Sequence, residues 1–213
     1  MNPQETAEQI AKLLLKIKAV SLSPKSPFQW ASGWLSPIYC DNRLTLGDPY
    51  ARTYIADALT YHIRQHVPDV RAIAGVATAG IPQAALVADR LQLPLLYVRP
   101  EPKQHGRGQQ IEGQIFPDSG IVLVEDLIST GGSSLKAAKA VQEAGMRILC
   151  IVSVFSYGFK QAQTLFNEAK IPFFSLCDYP TLLHVARLSG ELSAGEEELL
   201  KQWRENPAKW AGI

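Results

Sequence analysis

The sequence predicts an α/β fold with a mostly parallel central sheet and helices on both of its faces. Short apolar runs of strand length alternate with segments of helical period over most of the chain. Apolar residues make up 46% of the 213 residues, which suffices for a core on both faces of such a sheet. Charged residues make up 19%, a share that argues against general disorder.

The first 47 residues precede this alternation. Within residues 4–19, apolar side chains from Ile10 to Ile17 recur with the i, i+3, i+4, i+7 spacing of an amphipathic helix. Residues 21–47 are rich in serine, proline, glycine and aromatic residues and show no helical period. Long irregular segments in compact domains tend to be functional or mobile, so this one is a candidate for ligand binding.

Strands and helices alternate from residue 49 onward. The predicted strands are 71–77, 94–98, 121–125, 148–155 and 173–176. The predicted helices are 49–66, 82–91, 133–144, 160–169, 180–188 and 195–204. In sheets of this kind, ligands bind beyond the carboxyl ends of the strands. The segments at those ends are 77–82, 99–113, 125–133 and 155–159.

We expect one domain, because no internal repeat and no linker interrupts the pattern. Its predicted parts are a hood or base-binding segment of about residues 1–47, a core of about 48–180 and C-terminal helices of about 181–213.

Composition argues against several classes of protein. The net charge of +1 lacks the basic surplus typical of nucleic-acid binders. The cysteines, Cys40, Cys150 and Cys177, are odd in number and far apart, which argues against a disulfide framework and a structural zinc site. No apolar run approaches the roughly 18 residues of a membrane span. We therefore expect a cytoplasmic protein with no nucleic-acid or membrane partner.

A phosphate-binding pattern follows the predicted strand 121–125. Glycines allow a tight turn with outward-pointing amides, and the next helix adds the partial positive charge of its N-terminus. Serine and threonine hydroxyls would add donors. The residues of this predicted cradle are Ser129, Thr130, Gly131, Gly132 and Ser133. The alternative is an ordinary turn whose serines cap the helix.

Two acids, Glu125 and Asp126, come directly before this cradle. Carboxylates there would repel a phosphate, but they accept hydrogen bonds from sugar hydroxyls. They could also stabilise positive charge that develops on a sugar ring during reaction. A phosphate cradle beside an acid pair favours a ribose 5-phosphate site.

The complete segment 122–133 resembles the phosphoribosyl pyrophosphate motif of the type I phosphoribosyltransferases. Three further segments resemble the orotate phosphoribosyltransferases within that family, in the same order and spacing. Residues 32–43 read Ser-Gly-Trp-Leu-Ser-Pro-Ile-Tyr-Cys-Asp-Asn-Arg, and residues 75–82 read Gly-Val-Ala-Thr-Ala-Gly-Ile-Pro. Residues 99–113 contain Arg-Pro-Glu-Pro-Lys-Gln-His-Gly and Gln-Ile-Glu-Gly, like the family's mobile catalytic loop.

This resemblance implies a type I phosphoribosyltransferase fold with a small N-terminal hood. It implies transfer of ribose 5-phosphate from phosphoribosyl pyrophosphate to orotate in pyrimidine biosynthesis, with Mg²⁺ held mainly by the diphosphate rather than by a protein metal site. It also implies a homodimer in which the loop 99–113 reaches the neighbour's active site.

The resemblance assigns catalytic roles to Lys103, Asp126 and Glu125. The substrate-binding residues it implies are Arg99, Lys103, His105, Glu125, Asp126, Leu127, Ile128, Ser129, Thr130, Gly131, Gly132, Ser133, Thr78, Ala79, Ser32, Gly33 and Arg43. Read without the resemblance, the cations of 99–113 could equally form a solvated face, and Thr78–Ala79 an ordinary strand–helix connection.

The chain departs from the family pattern at several positions. Leu35, Ala79 and Pro100 stand where many members have basic residues, and residues 155–158 lack an arginine that meets the orotate carboxylate in some members. Arg43 and the backbone amides near Ser32 are the remaining candidates for that carboxylate. The alternatives are a transferase for another base, such as a purine or uracil, and a non-catalytic regulator that senses phosphoribosyl pyrophosphate.

Overall fold

The computed structural model describes residues 1–30, 33–102 and 110–210. Its strands are β1 (Val20–Leu22), β2 (Phe28–Gln29), β3 (Leu35–Ser36), β4 (Ile38–Cys40), β5 (Ala72–Val76), β6 (Leu95–Val98), β7 (Ile111–Glu112), β8 (Gly120–Ile128), β9 (Arg147–Ser156) and β10 (Phe173–Asp178). Its α-helices are α1 (Pro3–Lys16), α2 (Pro49–His66), α3 (Gly80–Leu91), α4 (Gly132–Glu143), α5 (Lys160–Glu168), α6 (Tyr179–Leu188) and α7 (Ala194–Glu205).

The central sheet has the strand order β10-β9-β8-β5-β6-β7. All neighbours in it run parallel except β7, which pairs antiparallel with β6. The central strand β8 shows why both faces need covering: Val122 packs into one apolar cluster, and Ile121 and Leu123 pack into the other. The predicted α/β fold with a mostly parallel sheet is therefore confirmed.

The strand β8 is longer than the sequence predicts. It continues three residues past Glu125 because its pairing with β9 continues through Leu127↔Phe155 and Ile128↔Ser156. The prediction that Glu125 and Asp126 stand at the end of the strand was wrong, since both lie within it. Their side chains must therefore point to opposite faces of the sheet.

The segment predicted to be irregular, 21–47, contains short regular elements in its described part. β1 pairs antiparallel with β4, and β2 with β3, and a 3₁₀ helix follows at Asn42–Gly47. These elements lie in the segment predicted to be the hood, and we use that name for them. Helix α7 fixes it from the C-terminal side, where the Trp203 indole donates to the Leu35 carbonyl at 3.0 Å. The predicted division into hood, core and C-terminal helices stays a prediction.

Helix α3 packs closely against β8 at its first residue. A Cβ atom at Gly80 would overlap the carbonyl oxygen of Val124, so only glycine fits between the two backbones. This contact brings the start of α3, just after Thr78 and Ala79, beside the strand that carries the acid pair. None of the described helices is long and apolar enough to cross a membrane.

We expect Gly80→Ala to lower the free energy of unfolding by about 2–4 kcal/mol, because backbone atoms must move to admit the methyl group. Urea denaturation measures this loss. Gly195→Ala is the matched control, since a Cβ atom there meets open space. A Gly80→Ala variant as stable as Gly195→Ala would contradict the close packing.

Candidate active site

The predicted phosphate cradle joins β8 to α4. Gly131 has φ +84° and forms the N-cap of α4, where no described side chain makes a capping hydrogen bond. Ser129 and Thr130 are partly exposed, and Gly132 and Ser133 are exposed. The amides of the first helical turn are therefore free of side-chain caps and open to an anion.

The serines of this segment bind Glu125 instead of capping the helix. Ser134 donates to the Glu125 carboxyl at 2.9 Å, and Ser133 donates to the same oxygen at 3.4 Å. The alternative reading of the segment as a turn capped by its serines is thus wrong. Ser134, which the sequence reasoning missed, is fully buried beneath the cradle. The sequence does contain a signal for Ser134. It is a second serine directly after Ser133, at the start of a helix, where one face of the helix points into the core.

Glu125 is 5% exposed on the face of β8 that meets α4. Burial, with the nearby charge of Asp126, raises the pKa of Glu125 to about 8, and the hydrogen bonds from Ser134 and Ser133 oppose this rise only in part. At neutral pH the folded protein therefore holds this side chain mainly as the neutral acid.

This raised pKa makes the protein less stable as the pH rises. Below the ordinary pKa of 4.5 the Glu125 carboxyl is neutral in both the folded and unfolded chain. Between 4.5 and about 8 only the unfolded chain ionises, so the stability falls through this window.

We expect Glu125→Gln to remove that penalty. The variant gains on the order of 4 kcal/mol of unfolding free energy at pH 8 and almost none at pH 4.5, as measured by urea denaturation across this range. Glu168→Gln on α5, at an exposed glutamate, is the matched control for the change from carboxyl to amide. A Glu125→Gln gain that is equal at both pH values would show that the carboxyl does not titrate as described.

Asp126 faces the hood. Burial raises the pKa of its carboxyl, and Arg43 is close enough to act against this rise. Its backbone carbonyl accepts a hydrogen bond of 2.6 Å from the Asn42 side chain of the hood. Asp126 remains partly exposed, whereas Glu125 is buried, so the two acids differ in both surroundings and access.

The second predicted anion-binding segment connects β5 to α3. Thr78 is exposed and Ala79 is partly exposed, and the Ala77–Thr78 peptide bond is cis. No described side chain caps the N-terminus of α3, whose N-cap is Ala79. Two helix N-termini, those of α3 and α4, thus flank the strand that carries Glu125 and Asp126.

The remaining predicted site residues differ in what the structure describes of them. Leu127 is partly exposed in β8, and Ile128 is buried, so Ile128 can contribute only through its backbone. Gly33 takes φ +87° in the β2–β3 connection. Ser32, Lys103 and His105 lie outside the described residues.

The two predicted arginines already have carboxylate partners. Arg43 binds Asp41 through two hydrogen bonds of 2.6 and 2.8 Å, although its side chain is 63% exposed. Arg99 lies 3.4 Å from Glu112 at the base of the loop 99–113. Sequence reasoning did not foresee either pairing. Asp41 and Arg43 are two residues apart, so theirs is a local contact, whereas Arg99 meets Glu112 because β7 pairs with β6.

The strand end at 155–158 is the place where some family members have an arginine for the base. The large side chains there are buried in this chain. Phe155 and Tyr157 are 0% and 2% exposed, and Tyr157 packs among Trp30, Phe159 and Trp203. In this chain that position therefore supports the hood rather than contacting a ligand.

Comparison with known proteins identifies the family of the chain. A family model for the phosphoribosyl transferase domain matches residues 50–178, more than half of the chain. The orotate phosphoribosyltransferase of Halalkalibacterium halodurans is 51% identical over 201 residues, covering 94% of this chain and 96% of that protein.

Solved structures have the same fold. The orotate phosphoribosyltransferase of Aeropyrum pernix matches with a TM-score of 0.75 at 33% identity, covering 86% of this chain and 99% of that one. The Mycobacterium tuberculosis enzyme in complex with 5-phospho-α-D-ribosyl 1-diphosphate matches with a TM-score of 0.65 at 19% identity, covering 83% and 98%, a likeness of fold. Since a relative with half of its residues identical spans nearly the whole sequence, the chain belongs to the orotate phosphoribosyltransferase family of the phosphoribosyl transferases, and it is a transferase.

Proposed function

We propose that the protein transfers ribose 5-phosphate from phosphoribosyl pyrophosphate to orotate, giving orotidine 5′-monophosphate and pyrophosphate in pyrimidine biosynthesis. The observation that carries this proposal is that the strand of Glu125 and Asp126 lies beside two helix N-termini without described side-chain caps, those of α3 and α4. One N-terminus can bind the 5′-phosphate and the other the diphosphate, with the ribose between them. The relatives at about half identity are named for this reaction.

The position of each group of residues determines its proposed role. The amides and hydroxyls of residues 129–133 hold the 5′-phosphate, and Thr78 and Ala79 approach the diphosphate. The Asp126 carboxylate accepts hydrogen bonds from the ribose hydroxyls and stabilises the positive charge that grows on the ring as the bond to the diphosphate breaks. Glu125, which is mainly neutral at pH 7, orients the cradle through Ser133 and Ser134.

The loop 99–113 supplies the cations for the departing diphosphate. We propose that Lys103, with Arg99 and His105, neutralises the negative charge and that closure of the loop keeps water out. Mg²⁺ fits the oxygen donors at this edge, since it favours phosphate oxygens with one or two carboxylates, and the partly exposed Asp126 offers one. When bound, it would supply further charge neutralisation on the diphosphate.

We also propose a homodimer with shared active sites in the cytoplasm. Exposed apolar side chains support a partner surface: Tyr50 and Tyr61 of α2 are 60% and 40% exposed, and Leu44 of the 3₁₀ helix is 49% exposed. The free cysteines accord with a reducing compartment. Sedimentation equilibrium would give twice the chain mass, and a monomer at micromolar concentration would contradict the dimer.

An activity screen tests the proposed reaction. The protein is incubated with phosphoribosyl pyrophosphate, Mg²⁺ and one of orotate, uracil, adenine or hypoxanthine, and pyrophosphate release is measured. We expect pyrophosphate release with orotate and with none of the other three bases. Turnover of another base without orotate would favour the rival transferase, and donor binding without turnover of any base would favour the sensor.

A further inference from the structure

A buried side chain, Asn42, joins the hood to the proposed catalytic strand. It is 3% exposed and lies at the start of the 3₁₀ helix. Its amide nitrogen donates to the backbone carbonyl of Asp126 at 2.6 Å, although the two residues are 84 positions apart in the chain. Its amide oxygen accepts from the Cys40 thiol at 3.3 Å, so both ends of the amide have partners.

This bond is made where the pairing of β8 with β5 has ended, although β8 still pairs with β9. β5 pairs with β8 only as far as Gly75↔Val124, so the backbone of Asp126 lies beyond the last partner that β5 provides. The Val124 carbonyl faces Gly80, and the carbonyl of Asp126, two residues further along the strand, points the same way. The Asn42 amide thus takes the place of a neighbouring strand at this residue.

The backbone of the same residue is linked to helix α3, which follows the predicted diphosphate segment. Thr45, which is fully buried, donates from its hydroxyl to the Asn42 carbonyl at 2.6 Å. Gln83 of α3 donates to the Thr45 hydroxyl at 3.4 Å. Asn42 therefore stands where the hood, the strand of Asp126 and helix α3 meet, next to the base-binding candidate Arg43.

We propose that Asn42 is a positioning residue that sets the Asp126 carboxylate relative to a base held by the hood. This inference rests on the proposed function. A buried amide that only stabilised the hood could bind any carbonyl there, but this one binds the residue that is to meet the ribose. Displacements of about 1 Å at such a group can lower kcat by about 100-fold.

The test is a double-mutant cycle between Asn42→Leu and Asp126→Asn, assayed with orotate and phosphoribosyl pyrophosphate. Leucine keeps the volume of the amide and removes its donor. We expect Asn42→Leu to lower kcat by about 10- to 100-fold, with less than about threefold change in either KM. In the Asp126→Asn background the same change lowers kcat by less than about threefold, because the carboxylate it positions is gone.

Ser175→Ala is the matched control. It removes the 2.6 Å hydrogen bond between Ser175 and Ser153, which joins strands β9 and β10. We expect Ser175→Ala to have the same kcat as the wild-type protein. If Asn42→Leu does not fold, Asn42→Ser, whose hydroxyl is too short to reach Asp126, replaces it. Equal loss of kcat in both backgrounds, or no loss in the wild-type background, would overturn the inference. A wild-type protein without orotate turnover would instead overturn the proposed function.

Discussion

Lys103→Ala lowers kcat by about 1000-fold or more, while the KM for phosphoribosyl pyrophosphate rises far less. The reason is that the diphosphate gains negative charge only as its bond to the ribose breaks, so the ammonium group acts mainly in the transition state. Lys103 lies outside the described residues, and its role rests on the resemblance of 99–113 to the family's mobile loop. Steady-state kinetics with orotate measures both constants.

Lys139→Ala is the matched control for the change in charge. Lys139 is exposed on α4 and pairs with Glu143, one helical turn away, so its loss leaves kcat within about twofold. An unchanged kcat in Lys103→Ala would remove Lys103 from the mechanism. A rise in KM with kcat unchanged would assign it to donor binding alone.

The sequence predicted the core of the fold well, because its elements are long enough to show a period. Helix α2 begins and ends where predicted, with Asp48 capping its first turn through the amide of Ala51. The hood was predicted only as an irregular segment. Its strands have two or three residues each, which is too short to show alternation, and long-range contacts such as Trp203 to Leu35 fix them.

The residue types of the site were predictable from the sequence, but the different roles of the individual residues were not. The glycines and hydroxyls of 129–133 identify an anion cradle from sequence alone. The contrast between Glu125 and Asp126 depends on β8 extending through both, which follows from pairing with β9 rather than from local pattern. Asn42 could not be identified as a positioning residue, since its partner is 84 residues away.

Asp126→Asn lowers kcat by about 100- to 1000-fold, because the amide carries no negative charge to face the positive ribose ring in the transition state. Glu125→Gln is the comparison on the neighbouring residue, and we expect it to lower kcat at pH 7 by less than about tenfold, since the pKa of about 8 keeps that acid mainly neutral already. Equal losses in the two variants would contradict the assignment of different roles to the two faces of β8.

Mixing the Asp126→Asn variant with Lys103→Ala extends this test to the shared sites of the proposed homodimer. If the neighbour's loop supplies Lys103, a mixed dimer holds one site with both substitutions and one site with neither. Random exchange then restores about a quarter of the wild-type activity, because half of the dimers are mixed and each has one intact site. If each chain used its own loop, every site in every dimer would carry a defect, and mixing would restore nothing.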